Sequence, residues 1–167
     1  MNALLNFFPA FTFFLFLIFS GCADPTDPFS RRMDFSTVPD LPDTTQAAVF
    51  EKENGLVYYV LEDGEGEWSV QGRTGETLAV FFTMRLKSGE ILQSTYANGR
   101  DIPEEVSVST LTEPDGLYDG LIGMKVGEHR ILVVPPSLGY GNAGRSSQFY
   151  PFREDTLIYE IELEGIR

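Results

Sequence analysis

The sequence predicts an α+β domain built on an antiparallel sheet with one short helix, preceded by an N-terminal leader and a proline-rich tether. From Gly55 onward, apolar residues alternate with period two in five or six separate runs, as in half-buried strands. One stretch, 117–124, has helical spacing instead. The strands and helices do not alternate in a βαβ rhythm, so an antiparallel sheet is expected.

The strand predictions come from the apolar alternation. The candidate strands are Leu56–Leu61, Leu78–Leu86, Ile91–Thr95, Val106–Val108, Glu128–Val134 and Thr156–Gly165. In the last run, Leu157, Tyr159, Ile161 and Leu163 share one face. Lys87-Ser88-Gly89-Glu90 is typical of a hairpin connection between two of these strands.

The helix prediction comes from Leu117, Leu121 and Met124, which are four and three residues apart. This spacing places the three side chains on one side of a helix of one or two turns. Pro114-Asp115-Gly116 precedes the segment and is typical of a turn.

Composition excludes several classes of function. The 167-residue chain carries 12 basic and 25 acidic residues, a net charge of −13, which argues against binding a nucleic-acid backbone. A single cysteine excludes an internal disulfide, and a single histidine excludes a metal cluster built on several histidines. No G-x-S-x-G motif accompanies His129, so the sequence does not indicate a Ser/His/Asp triad. His129 is expected to lie at the surface.

The N-terminus predicts a targeting segment. Residues 11–19 read FTFFLFLIF and are followed by Ser20-Gly21-Cys22. This run has the length of a signal-peptide core, and IFSGC resembles a bacterial lipobox in which Cys22 is lipidated. We therefore predict a signal peptide over 1–21 and a lipid-anchored protein of the bacterial cell envelope, with the outer membrane favoured. The alternative is a plain N-terminal transmembrane anchor in which Cys22 is incidental. The sequence departs from the lipoprotein pattern in one respect, since no Lys or Arg precedes the apolar run.

Residues 22–44 are predicted to form a lipid-anchored linker ahead of a domain spanning 45–167. The segment contains Pro25, Pro28, Pro39 and Pro42 among Asp, Ser and Thr, and it has no sustained apolar period. In the alternative interpretation, part of the segment packs on the domain through Phe29 and Phe35.

One string carries a resemblance to a known family. GLIGMKVGEHRILVVPPSLGYGNAG, residues 120–144, is similar to the FKBP-type peptidyl-prolyl isomerases. The matching positions are Gly123, Met124, Gly127, Glu128, Arg130, Pro136, Gly139, Tyr140 and Gly141. The closing DTLIYEIELEGI resembles the family's final strand, so the resemblance covers roughly 45–167. It implies a sheet curled around the short helix, with a pocket between them.

The resemblance also implies catalytic residues. Tyr140 matches the family tyrosine that donates to a ligand carbonyl, although a buried tyrosine with a satisfied hydroxyl is the alternative. Tyr159 stands at a pocket aromatic, and Phe82 stands where a tyrosine is usual. No metal, cofactor or nucleophile is implied.

The implied substrate-binding residues depart further from the family pattern. Leu92 replaces a phenylalanine, Gln93 replaces an aspartate, and Leu117 stands where an aromatic residue often forms the pocket floor. Phe149 lies in the loop that overhangs the pocket. The implied partners are proline-containing polypeptides. The expected function is therefore prolyl isomerisation that assists the folding of exported envelope proteins. The alternative is a weakly active or inactive FKBP-like binding or chaperone module.

Overall fold

The computed structural model of the protein describes residues 33–108 and 114–167. The predicted signal peptide, Cys22 and the first part of the predicted linker, to residue 32, lie outside the described residues. Within the described ranges, no helix is both long enough and apolar enough to cross a membrane.

The described residues form one antiparallel sheet. Its strands are β1 (Ala48–Glu51), β2 (Val57–Glu62), β3 (Thr77–Leu86), β4 (Ile91–Ser94), β5 (Glu104–Ser107), β6 (His129–Val134) and β7 (Leu157–Ile166). They lie in the order β1-β2-β6-β7-β3-β4, and β5 pairs with β3 as well. Every pairing is antiparallel, which confirms the predicted sheet.

One face of the sheet, here called the inner face, carries the core. Alternate residues of the two ten-residue strands β3 and β7 point to it, because successive side chains of a strand point to opposite faces. The fully or almost fully buried core residues include Leu78, Val80, Met84, Leu132, Val134, Leu157, Tyr159, Ile161 and Leu163.

The helix α1 (Asp115–Leu121) packs on the inner face against β6. A Cβ on Gly120 would lie 2.3 Å from Cδ1 of Leu132, so a glycine is needed for this close approach. The helix begins two residues before the predicted start at Leu117 and ends three residues before the predicted end at Met124. The backbone leaves the helical conformation at Ile122, with φ −56° and ψ 130°. Gly123, with φ +82°, then completes a tight turn in which the Met124 N–H donates to the Leu121 carbonyl at 3.0 Å.

Strand β1 was not predicted. All four of its residues are exposed, and it pairs only with β2 at the edge of the sheet. Because neither face of this strand is buried, its sequence Ala-Val-Phe-Glu carries no alternation that would indicate a strand.

Residues 33–44, which we call the strap, lie on the outer face of the sheet. The Asn98 amide N–H donates to the Asp34 carbonyl at 2.7 Å, and Thr37 Oγ1 donates to the Tyr96 carbonyl at 2.7 Å. The Arg85 guanidinium donates to the Pro39 carbonyl. The strap and the sheet belong to one compact unit, 33–167. This agrees with the alternative interpretation of the sequence, in which part of the predicted linker packs on the domain.

Candidate functional site

A pocket of about 80 Å³ opens between the inner face of the sheet and helix α1. Its lining is mostly apolar and aromatic. The lining residues are Val80, Phe82, Met84, Gln93, Glu104, Val106, Leu117, Leu121, Tyr140, Tyr159 and Ile161. An apolar pocket with a few polar groups is typical of a binding site for part of a peptide or a small ligand.

Strand register builds the pocket walls. Phe82 pairs with Ile161, and Met84 pairs with Tyr159, so these four side chains point to the same face of the sheet. Gln93 of β4 pairs with Met84 and joins them from the other side of β3. The pocket wall therefore rests on hydrogen-bonded strands, which hold its side chains in fixed positions.

The loop after β6 positions Tyr140. Pro135 and Pro136 follow the last residue of the strand, and the Gly139 N–H donates to the Pro135 carbonyl at 3.0 Å. The Gly141 N–H donates to the Pro136 carbonyl at 2.8 Å. A Cβ on Gly141 would lie 2.5 Å from that same oxygen, so only glycine allows a turn this tight.

The Tyr140 side chain lies between the pocket and the following loop. Its hydroxyl donates to Sδ of Met84 at 3.8 Å. Its ring is stacked on Phe149, with 4.1 Å between ring centroids and 1° between ring planes. A thioether sulfur is a weak acceptor, so a peptide carbonyl that enters the pocket can replace it as the partner of the hydroxyl.

The structure brings together most of the residues that the sequence singled out. Phe82, Gln93, Leu117, Tyr140 and Tyr159 all line the pocket. Phe149 contacts Tyr140 from the loop, and the pocket lining does not include it.

On the strands, Leu92 is a predicted site residue that does not line the pocket. The register shifts between Met84, which pairs with Gln93, and Arg85, which pairs with Ile91. This irregularity leaves Leu92 without a direct partner on β3, as in a β-bulge. Leu92 packs against the hydrophobic core and is not among the described residues that line the pocket.

Sequence reasoning missed six lining residues. They are Val80, Met84, Glu104, Val106, Leu121 and Ile161. Four of them, Val80, Met84, Leu121 and Ile161, share a strand face or helix face with a predicted site residue, so period two and helical spacing could have found them. Val106 lies on β5, where no site residue was predicted. Glu104 is different, because its charge is typical of a solvated position and gives no signal for a pocket.

A second group of titratable side chains lies on the outer face. His129 Nε2 is 3.4 Å from Glu160 Oε1, and Arg85 Nη2 is 3.9 Å from Glu160 Oε2. His129 is half-buried, so its expected surface position is wrong. Burial lowers the pKa of His129, but interaction with Glu160 and the nearby carboxylates outweighs it and raises the pKa overall. This group lies on the face opposite the pocket.

Comparison with known proteins decides the family. The model of the FKBP-type peptidyl-prolyl cis-trans isomerase family matches residues 69–164, more than half of the chain. The chain belongs to this family. The matched region contains every lining residue of the pocket.

Individual relatives agree with this assignment. FK506-binding protein 2 of Dictyostelium discoideum is 33% identical over 100 residues, 60% of this chain and 72% of that protein. FK506-binding protein 1A of Neurospora crassa is 33% identical over 114 residues, 68% of this chain and 90% of that protein. The crystal structure of FkpA from Escherichia coli, 30% identical, superposes with a TM-score of 0.59 over 71% of this chain. The matched part is about half, 51%, of the FkpA chain.

Proposed function

We propose that this protein accelerates cis–trans isomerisation of X-Pro bonds in exported polypeptides, at a membrane to which a lipid on Cys22 anchors it. The observation that supports the isomerase chemistry best is the position of Tyr140. Its hydroxyl lies at a mostly apolar pocket whose wall includes Phe82 and Tyr159.

The chemistry needs a site that favours a twisted amide. Resonance opposes rotation about a peptide bond with a barrier of about 18–20 kcal/mol, and X-Pro bonds exchange over tens to hundreds of seconds. A twisted amide is less conjugated and less polar than a planar one. An apolar pocket therefore destabilises the planar amide relative to the twisted one, and a difference of this kind is what lowers a barrier.

The lining residues take separate parts in this reaction. Phe82, Leu117 and Tyr159 contact the proline ring and exclude water from it. The Tyr140 hydroxyl donates a hydrogen bond to the substrate carbonyl in place of the Met84 sulfur. It keeps this hydrogen bond while the carbonyl moves with the rotating bond. Phe149, stacked on Tyr140, keeps the tyrosine ring in place. No step needs a nucleophile.

The cellular role rests on the N-terminal sequence. An apolar run followed by Ser20-Gly21-Cys22 supports export and lipidation at Cys22. A diacylglycerol plus an amide-linked acyl chain supplies more than one lipid chain, as stable anchoring requires. Newly exported proteins contain X-Pro bonds of both isomers, so an anchored isomerase would act where they fold.

One observation favours a second function. Two polar side chains, Gln93 and Glu104, line the pocket, and polar groups weaken its contrast between planar and twisted amides. In the second candidate, the domain binds proline-containing segments and holds them without accelerating isomerisation.

Refolding of an unfolded protein whose slow phase is limited by X-Pro isomerisation separates the two functions. An isomerase raises the rate of that slow phase at catalytic concentrations and leaves proline-independent phases unchanged. A binding module raises the final yield while the slow rate stays the same. A slow rate and a yield that both equal those without the protein would contradict both functions.

The anchor has its own test. Wild type and Cys22→Ala are expressed in a bacterium, and membrane and soluble fractions are compared together with the mass of each product. We expect a cleaved, lipid-modified wild type in the membrane fraction and an unlipidated variant. A Cys22→Ala variant with the same mass shift and the same membrane partition as wild type would contradict lipidation at this residue.

A further inference from the structure

We infer that Glu104 makes the pocket prefer substrates with a basic side chain next to the proline. This inference rests on the proposed isomerase function and names the class of substrate that its pocket selects. Glu104 is the one charged side chain among the described residues that line the pocket.

Strand register fixes the direction of Glu104. Its direct partner on β3 is Val80, which lines the pocket, and residues directly opposite on paired strands point to the same face. Val106, two residues further along β5, also lines the pocket. The carboxylate therefore belongs to the inner face.

The neighbouring Glu105 provides an internal comparison. It pairs with Ala79, points to the outer face, and forms an ion pair with Arg167. Among the described residues, none forms an ion pair with Glu104. Two adjacent carboxylates on one strand thus differ in their surroundings. Arg167 neutralises Glu105, whereas Glu104 lies at the pocket and has no cationic partner within residues 33–108 and 114–167.

The position of Glu104 suits recognition of a residue beside the proline. The side chain is exposed, so it lies at the rim and not at the floor, where Leu117 is buried. A proline ring that fills the apolar part of the pocket leaves the adjacent peptide residue near this rim. A lysine or arginine there gains attraction from the carboxylate, and an acidic residue is repelled.

The test uses X-Pro tetrapeptides that differ in one residue beside the proline: lysine, alanine or glutamate, placed before or after it. The full chain is compared with Glu104→Gln and with the matched control Glu105→Gln, which removes the same charge from the same strand. We expect wild type to prefer lysine over glutamate roughly two- to fivefold in kcat/KM at low salt, the range of exposed ion pairs. This preference should shrink at about 1 M salt, where the Debye length is about 3 Å.

The variants decide the assignment. The preference, taken as the ratio of kcat/KM for the lysine peptide to kcat/KM for the glutamate peptide within each protein, should disappear in Glu104→Gln and remain in Glu105→Gln. An unchanged preference in Glu104→Gln, or an equal loss in both variants, would overturn the inference, because the net charge of the chain would then explain the preference. The absence of any preference in wild type would also overturn it.

Peptide binding is measured in parallel by titration of the isotope-labelled chain followed by NMR. If the alanine peptide is not isomerised, the proposed function fails, and the binding series still tests Glu104. Lysine and glutamate peptides that bind wild type equally well would overturn the inference by this second route.

Discussion

Tyr140 is the residue on which the proposed chemistry depends most. Its hydroxyl is held by the Met84 sulfur, and its ring by stacking on Phe149. In Tyr140→Phe the ring and its stacking remain and only the donor is lost. A typical hydrogen bond contributes about 0.5–1.5 kcal/mol, so kcat/KM for an X-Pro peptide should fall roughly two- to tenfold.

Tyr59→Phe is the control for this change. Tyr59 lies on β2, pairs with Ile131 on β6 and is not among the described residues that line the pocket. The same loss of a hydroxyl there should leave kcat/KM unchanged. Equal kcat/KM values for Tyr140→Phe and wild type would show that the hydroxyl takes no part in the reaction.

His129 makes stability depend on pH. Its pKa in the folded state is raised above the ordinary value of about 6.5. The protonated imidazole therefore stabilises the fold below that ordinary value, and this contribution is lost as pH rises through the folded-state pKa. We expect Tm to fall as pH rises above about 6.5, and to fall less in His129→Gln.

Thermal unfolding at several pH values checks this expectation. His129 is the only histidine of the chain, so the variant removes all imidazole titration. A wild-type Tm that rises with pH over this range, or an identical slope of Tm against pH in His129→Gln, would contradict the expectation. Either result would show that the interaction with Glu160 does not stabilise the protonated imidazole in the folded state.

Single residues of the site differ in how well the sequence predicts them. Tyr140 lies in a specific string of the family, and Phe82 and Tyr159 lie on regular alternating strands, so their placement follows from local pattern. Leu92 was expected in the pocket because the family resemblance places a substrate-binding phenylalanine at its position. The register shift at Arg85 and Ile91 depends on pairing between strands, which the sequence of β4 alone does not reveal.

At the scale of elements, the contact between α1 and β6 depends on Gly120. An added methyl group would lie 2.3 Å from Cδ1 of Leu132, a fully buried side chain. Overpacking of this kind costs about 1–3 kcal/mol, and a gain in helix propensity of up to about 1 kcal/mol offsets part of it. Gly120→Ala should therefore lower the free energy of unfolding by about 1–2 kcal/mol.

Urea unfolding of Gly120→Ala and Gly144→Ala measures this cost. A Cβ on Gly144 would meet no atom within 4 Å, so that variant should differ little from wild type. If Gly120→Ala unfolds at the same urea concentration as wild type, the helix does not pack on β6 as closely as the structure has it.

Strands with a long buried face were predictable from sequence, and the fully exposed strand β1 was not. Strands β3 and β7 have long apolar faces, and both were predicted to within about two residues of their ends. Strand β1 is exposed throughout and depends on its hydrogen bonds to β2. Its formation is a consequence of a free sheet edge, which no local pattern in residues 48–51 expresses.

At the scale of the whole molecule, the strap extends the folded unit beyond the predicted boundary at residue 45. Its hydrogen bonds reach Arg85 on β3 and both Tyr96 and Asn98 in the connection between β4 and β5. A chain that begins at Thr45 loses these bonds and uncovers part of the outer face. We expect it to be less stable than a chain that begins at Met33 by about 1–3 kcal/mol, given about 1 kcal/mol or less for each exposed hydrogen bond.

Urea unfolding of the two shortened chains measures the contribution of the strap. The chain from Met33 serves as the control, since it keeps every described contact of the compact unit 33–167. Equal unfolding midpoints would mean that the strap rests on the sheet without stabilising it, and the domain would then begin near residue 45 as the sequence suggested.

The pocket around Tyr140 is proposed to isomerise X-Pro bonds. The most direct test is the cis-to-trans rate of an X-Pro tetrapeptide with the purified full chain and with Tyr140→Ala, each at micromolar concentration. We expect wild type to accelerate the exchange above the uncatalysed rate and Tyr140→Ala to lose most of that acceleration. A wild-type rate equal to the uncatalysed one, or an acceleration that persists unchanged in Tyr140→Ala, would contradict the claim.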